Sequence, residues 1–435
     1  MSNVAIGFLG LGAGLLLIAL RIQIGVAVGI VSFFGIAIIL NMKAAWGMLT
    51  AVPFNFVGDW NLTAIPMFLL MGYVASSAGL TQGLFQAMRI FLSRMPGGLA
   101  IASVGACALM SAASGSSVAT ASSMARIATP EMLRYRYDPG LATGVVATAG
   151  TLGSLIPPSI LMVLYGYYAE VSIAKLFIAG VIPGLLSAVM LSVMIVVRVT
   201  VKPSLAPRVE ESFTAQEKLD AIKEIWPLPV LVFGVLIGIF VGLFTPTEAG
   251  AVGAFLALVL ALLRGRLTLP VLRDAVVSTL SSTAGIFMVV IGTVLLTRFM
   301  ALSGVPNFIA SELLTLGSSE LMIILMVVVL YLLLGMFLDS IGILLLTLPI
   351  ILPVARDAGI ELIWFGVILI KLLEIGLITP PVGLNVYVMK GALGSLVKLQ
   401  QIFAGVTWFV VAEMITLALI VAFPLLSLWL PALMD

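Results

Sequence analysis

No histidine occurs in these 435 residues, and there is one cysteine, Cys107. The first absence removes the commonest metal ligand and the commonest general base or proton relay. The second excludes an internal disulfide, and Cys107, set in an apolar run, reads as a small core residue. Charge is scarce as well: 9% of the residues are charged, against about 25% in a soluble domain. Those charges are scattered among loops without a basic stripe, so the net charge of +2 gives no sign of nucleic-acid binding. There is no GxxxxGK[ST] phosphate loop, so the chain itself is not expected to use ATP. Nor is there a G-x-S-x-G elbow or an H-E-x-x-H pair, so nothing points to an enzyme.

Apolar residues are abundant, at 62% of the chain with a mean hydropathy of +1.27. Runs near the roughly 20 residues that cross a bilayer recur at 4–20, 24–41, 62–80, 139–168, 172–198, 227–244, 247–263, 276–302, 360–378 and 402–430. They predict an all-α polytopic membrane protein embedded in a lipid bilayer, with about ten to twelve crossings plus hairpins. The runs are continuous and do not alternate, which excludes an outer-membrane barrel. Met-Ser-Asn lacks a cationic leader, so 4–20 is expected to be a retained span.

Within this apolar background one pattern repeats. Gly-Ser-Leu-Ile-Pro-Pro at 153–158 returns as Gly-Leu-Ile-Thr-Pro-Pro at 376–381, an offset of 376 − 153 = 223. The same offset carries Ser116 onto Asp339, Ser117 onto Ser340 and Pro130 onto Pro353. Paired interruptions at corresponding places in two halves mark the binding site of a transporter built from inverted repeats. The polar stretch 201–226, with Lys202, Arg208, Glu210, Glu211, Glu217, Lys218, Asp220, Lys223 and Glu224, separates the halves. Its interleaved charges predict an amphipathic surface helix. The expected organisation is a first repeat over 1–200, a linker over 201–226 and a second repeat over 227–435.

Segment 98–133 is too short for two full crossings and breaks at Ser114-Gly115-Ser116-Ser117. Its flanks are basic on both sides, Arg89 and Arg94 before and Arg134 and Arg136 after, so it is expected to enter from the cytoplasm and return. Segment 320–355 breaks at Asp339-Ser340 between acidic flanks and is expected to enter from the opposite face. Segments 139–168 and 360–395 are the matching broken helices. Pro157-Pro158 and Pro380-Pro381 each remove two backbone donors and free carbonyls one turn upstream. Such carbonyls, with nearby hydroxyls and half-helix ends, suit Na⁺; the plainer reading is a proline kink with hydroxyls bonded back to their own helices. Repetition of the pair favours the ion site.

Asp339, between Phe337-Leu338 and a run of Ile and Leu, reads as a carboxylate deep in hydrocarbon, costly and therefore functional. Arg298 is the other deep charge, either a contact for an anionic substrate or an arginine snorkelling to the interface. Lys371 and Glu374 are expected to pair with each other at i, i+3. Asn385 is a substrate or ion contact, or else a helix–helix hydrogen bond.

The strings Ser114-Gly115-Ser116-Ser117-Val118-Ala119-Thr120-Ala121, Pro130-Glu131-Met132, Tyr137-Asp138, Gly153 to Ile160 and Thr245-Pro246-Thr247-Glu248-Ala249 resemble the large membrane subunit of tripartite ATP-independent periplasmic (TRAP) transporters, as does Ala64-Ile65-Pro66-Met67-Phe68-Leu69 before Met71-Gly72. The resemblance spans most of the chain. It implies a Na⁺-driven, elevator-type importer of a small organic acid in a bacterial or archaeal cytoplasmic membrane. A soluble periplasmic binding protein would deliver the substrate, and a small four-helix membrane subunit, here a separate polypeptide, would accompany the chain. No nucleotide or transition metal is implied. Carried over by position, the first sodium site falls on Ser114, Ser116, Gly153, Ile156 and Pro158. The second falls on Asp339, Gly376, Thr379 and Pro381. Arg298, Ser117, Ser340 and Asn385 are assigned to the substrate. The rival readings are a stand-alone Na⁺/dicarboxylate symporter, a passive channel, and an intramembrane aspartyl hydrolase, for which Asp339 lacks a partner carboxylate.

Overall fold

The computed structural model describes residues 2–207, 213–315 and 319–434, and the regular elements among them are all helical. Arg208, Glu210 and Glu211 of the polar stretch lie outside the described residues. Among the described residues, five helices are long and apolar enough to cross a membrane: Ile173–Val201, Pro246–Leu263, Leu269–Ser303, Ser340–Asp357 and Leu399–Ala422. Counting each of two bent pairs as one span gives up to seven, and there are shorter apolar helices such as Asn3–Ala19 and Ile24–Ile39. The large hydrophobic residues exposed along Ile173–Val201, Pro227–Phe240 and Glu320–Gly335 are the surface that a bilayer covers.

Segment 98–133 forms two helices, Gly98–Ser114 and Ser117–Arg134. The turn between them needs Gly115, whose φ of +59° costs a glycine nothing. The backbone N–H of Leu99 donates to the hydroxyl of Tyr137 (3.3 Å), so the two ends of this first hairpin lie side by side. Arg89 reaches its base too: it bonds Glu131 at 2.8 Å and is largely buried. The second hairpin is Glu320–Gly335 and Ser340–Asp357, its arms joined by the Tyr331–Thr347 hydroxyl pair at 2.6 Å.

Each hairpin is followed by an interrupted helix. The first starts at Pro139 with Asp138 as its cap, accepting from Leu141 N at 3.0 Å. It bends by 41° across Ile156–Ser159 before Ile160–Ala169. The second runs over Leu362–Gly376, breaks, and resumes as Leu384–Leu393. Both Pro-Pro bonds are cis. Gly140, Gly144 and Gly405 bring helices Pro139–Ala149 and Leu399–Ala422 into backbone contact: a Cβ on Gly405 would lie 1.8 Å from the Gly140 carbonyl oxygen. Small residues at such crossings allow this approach in apolar surroundings.

The linker helix is shorter than the polar stretch. It spans Ala215–Ile225 and is started by a capping box in which Thr214 and Glu217 bond each other reciprocally. Those bonds hold the Glu217 carboxyl below the usual carboxylate range. Thr245 and Glu248 make the same box at the start of Pro246–Leu263, with Pro246 at the first helical position, so that motif is a helix-start device.

Candidate functional site

The two hairpin breaks meet at one cavity. Ser116 caps the second arm of the first hairpin, its hydroxyl accepting from Ala119 N at 3.4 Å. Asp339 caps the second arm of the second hairpin, its carboxylate accepting from Gly342 N at 3.0 Å. Both caps, with Ser114, line a cavity of about 380 Å³ closed by Tyr73 and Ser76 of Ala64–Ser77 and by Ser282 of Leu269–Ser303. The Tyr73 and Ser282 hydroxyls bond each other at 2.6 Å across it. Its polar side chains all end in oxygen, the hydroxyls of Ser76, Ser114, Ser116, Ser123 and Ser282, the Tyr73 phenol and the Asp339 carboxylate, set among apolar side chains such as Met110 and Ile286. Hard oxygen donors of this kind suit Na⁺ and the polar rim of a small organic ligand.

The first interrupted helix sits against the first tip. A Cβ on Gly153 would lie 2.8–2.9 Å from the Ser116 carbonyl and the Ser117 nitrogen, and one on Gly115 would lie 3.0 Å from the Pro158 carbonyl oxygen. Ser114, Ser116, Gly153 and Pro158 therefore come together. The side chain of Ile156 instead packs on Gly184 of Ile173–Val201, leaving only its backbone for that group.

The second break is arranged differently. Gly376 packs on the backbone of Gly335, a Cβ there meeting the Gly335 Cα at 2.6 Å, and so lies against the end of the first arm. The carbonyls freed by Pro380-Pro381 are partly reused, Gly376 O accepting from Thr379 N at 3.1 Å and Leu377 O from Asn385 N at 3.0 Å. Thr379 bonds back to Ile375 O at 2.6 Å, and Pro381 is exposed.

Several sequence expectations need correction. Asp339 is not buried in hydrocarbon: it is exposed at the tip and lines the cavity, because the chain turns at Met336–Leu338 before the next helix begins. Arg298 is also exposed, but lines a separate cavity of about 670 Å³ with Asp59, Tyr167 and Glu170. Ser117, Ser340 and Asn385 are buried and do not line the cavity that Arg298 lines. Asn385 donates to Ala147 O at 3.3 Å, the helix–helix bond, while its Oδ1 finds no partner among the described residues. Ser340 Oγ is likewise unpartnered.

Lys371 and Glu374 do not pair with each other. Lys371 bonds the Glu413 carboxylate of Leu399–Ala422 and donates to Ser187 Oγ at 2.8 Å. Glu374 instead accepts from Ser117 Oγ at 2.5 Å, and Ser117 bonds Ser154 at 2.9 Å. All three ionisable groups are no more than 2% exposed. Glu374 and Glu413 thus form buried polar links that sequence reasoning missed. For Glu413 the signal was there: it is the only charge between Leu399 and Ala422.

Helices apolar enough to span, and two breaks that meet at one largely apolar cavity carrying a few oxygen groups, define a membrane transporter rather than an enzyme. The match to known proteins gives the kind. Residues 11–426 match the family model described as "Tripartite ATP-independent periplasmic transporter, DctM component". The chain belongs to that family and is a large permease subunit of a binding-protein-dependent secondary transporter. It is 36% identical to the C4-dicarboxylate TRAP transporter large permease protein DctM of Pseudomonas aeruginosa, over 86% of each chain. It is 33% identical to the sialic acid TRAP transporter large permease protein SiaM of Vibrio cholerae, over 87% of each. The isethionate TRAP transporter permease protein DctMQ of Oleidesulfovibrio alaskensis is 31% identical, the match covering 88% of this chain and 60% of that protein. Among solved structures, the Alcanivorax borkumensis YdaH transporter shares the fold, with a TM-score of 0.65 at 17% identity over 90% of this chain and 89% of that one.

Proposed function

We propose that this chain uses a Na⁺ gradient to import a small organic acid across the cytoplasmic membrane. It would work with a small membrane subunit and a soluble periplasmic protein that delivers the substrate. The observation that carries this reading is the convergence of Ser114, Ser116 and Asp339, from two separate breaks, on one cavity. Oxygen donors there match a hard monovalent cation, and the absence of a nucleotide motif leaves an ion gradient as the energy source. The relatives are described as carriers of C4-dicarboxylates, sialic acid and isethionate, all small organic anions. Ser114, Ser116, Gly153, Ile156 and Pro158 form the first sodium site, and Asp339, Gly376, Thr379 and Pro381 the second. Arg298 serves the substrate from the larger cavity.

In this reading the halves are inverted repeats, and the hairpins with their interrupted helices move past Ala64–Ser77 and Leu269–Ser303 as an elevator. The test is uptake into proteoliposomes containing both membrane subunits, with candidate binding proteins and an imposed Na⁺ gradient. Uptake should need the Na⁺ gradient and the binding protein, without ATP. Equal uptake with K⁺ or choline replacing Na⁺ on both sides would refute sodium coupling, and full uptake without a binding protein would favour a stand-alone symporter.

A further inference from the structure

The buried charges around the two breaks do not balance. Lys371 is taken by Glu413, a pair from facing helices supported by Ser187. That leaves Glu374, 2% exposed, with no ion-pair partner among the described residues. Its Oε2 accepts from Ser117 at 2.5 Å, and its Oε1 is buried without a hydrogen-bond partner. Lys371, one turn away on the same helix, is already closed on Glu413 of the facing helix. A carboxyl left this way in low dielectric takes up a proton and is neutral unless a nearby positive charge repays the cost of its ionised form.

Its place in the fold shows where that charge would lie. Ser117 follows Ser116, the cap at the first tip, and Ser154 follows Gly153, whose backbone touches the Ser116 carbonyl. On its own helix Glu374 comes two residues before Gly376, which packs on Gly335 of the second hairpin. One carboxylate therefore touches the first break through hydroxyls and reaches the second through its own backbone. A merely structural Glu would be replaceable by an uncharged hydrogen-bonding residue, since Ser117 needs only an acceptor.

We infer that Glu374 is a positioning residue shared by both breaks, a buried negative strut that holds the Ser117 end of the first tip and raises cation affinity at both. The inference rests on the sodium reading above. The strut binds no cation directly. It acts through Ser117 and through its field, so cation binding at one break is felt at the other, which is a coupling free energy between sites.

The test is a Na⁺ titration of the thermal unfolding of the purified protein in NaCl, with choline chloride at constant ionic strength as the reference. Glu374→Gln keeps the shape and an acceptor for Ser117 but removes the charge. Its Na⁺ midpoint should rise by roughly tenfold, the scale expected for one unit charge lost within about 10 Å at an effective dielectric near 20. Ser117→Ala keeps the charge but cuts the link, and should flatten the Na⁺ dependence with a smaller shift in midpoint. A Glu374→Gln protein that melts lower in choline yet keeps the wild-type Na⁺ midpoint would show a structural residue and overturn the proposal. If Glu374→Gln does not accumulate, Ser117→Ala decides alone: wild-type midpoint and steepness overturn it. A wild-type protein that Na⁺ does not stabilise refutes the sodium reading itself, and the strut falls with it, whereas a wild-type response unchanged in both variants refutes only the strut.

Discussion

Lys371 and Glu413 give the sharpest quantitative test of the packing. They are 2% and 1% exposed and bond each other between helices Leu362–Gly376 and Leu399–Ala422. Removing one partner of such a pair leaves an uncompensated buried charge and costs about 3–5 kcal/mol, whereas replacing both with apolar residues of similar volume is near neutral. Lys371→Met should therefore destabilise severely, as should Glu413→Gln, while Lys371→Met with Glu413→Leu should recover most of the loss. Ser187 keeps its bond to Pro183 O at 2.8 Å in every variant, so it adds no orphaned group. At about 2–4 °C per kcal/mol for domains of 150–250 residues, each single variant should melt roughly 10 °C lower. The assay is the apparent melting temperature in detergent, read as the fraction surviving size-exclusion chromatography after heating. Additive losses, with the double variant worse than either single one, would refute the idea that the two charges exist to neutralise each other.

Other expectations follow from single contacts. Gly153→Ala puts a methyl 2.8–2.9 Å from backbone at the first tip, so about 1–3 kcal/mol of stability should be lost and uptake reduced. Gly391→Ala, with open space around it in helix Leu384–Leu393, should instead be neutral or gain about 0.4–1 kcal/mol, and equal behaviour of the two in a melting assay would count against the contact. Asp339→Asn keeps a good helix cap, so the protein should fold; losing one charged contact, roughly 1.5–3 kcal/mol, should raise half-saturating Na⁺ in uptake by tenfold or more. Normal sodium dependence would make Asp339 a capping residue only. Met95→Cys and Arg134→Cys, both exposed at the base of the first hairpin, should resist a membrane-impermeant thiol reagent in intact cells carrying Cys107→Ala, and labelling from outside would reverse the orientation.

The helices on either side of the two breaks were legible almost to the residue, since the breaks are written as Ser-Gly-Ser-Ser and Asp-Ser, residues that cap helices, inside otherwise apolar runs. Helix Met42–Val57 was not read, because Lys43, Asn55 and Pro53 dilute its hydropathy. The amphipathic helix Leu84–Leu92 escaped for a similar reason. Within the site, the residues at the tips were visible, but their partners were not. The i, i+3 spacing of Lys371 and Glu374 suggested a pair, yet each found a better partner on a different helix, Glu413 lying 42 positions from Lys371 and Ser117 lying 257 from Glu374. Long-range pairing between helices depends on rotation and register, which spacing along one helix does not carry. For Asp339, the apolar neighbours suggested burial, whereas a turn before the cap brought it to the cavity surface.

The glycine seam at Gly140, Gly144 and Gly405 bears on how such a fold can move. With main chain lying directly on main chain, no layer of side chains is left to act as a bearing, and neither helix can slide or roll without the two backbones colliding. In the elevator reading proposed above, helix Leu399–Ala422 would ride with the first interrupted helix, and the Lys371–Glu413 pair would fasten the second interrupted helix to the same member. The travelling body of that proposal would then be larger than the hairpins and broken helices alone. Its sliding face would lie where side chains still separate the parts, along the cavity wall formed by Tyr73, Ser76 and Ser282.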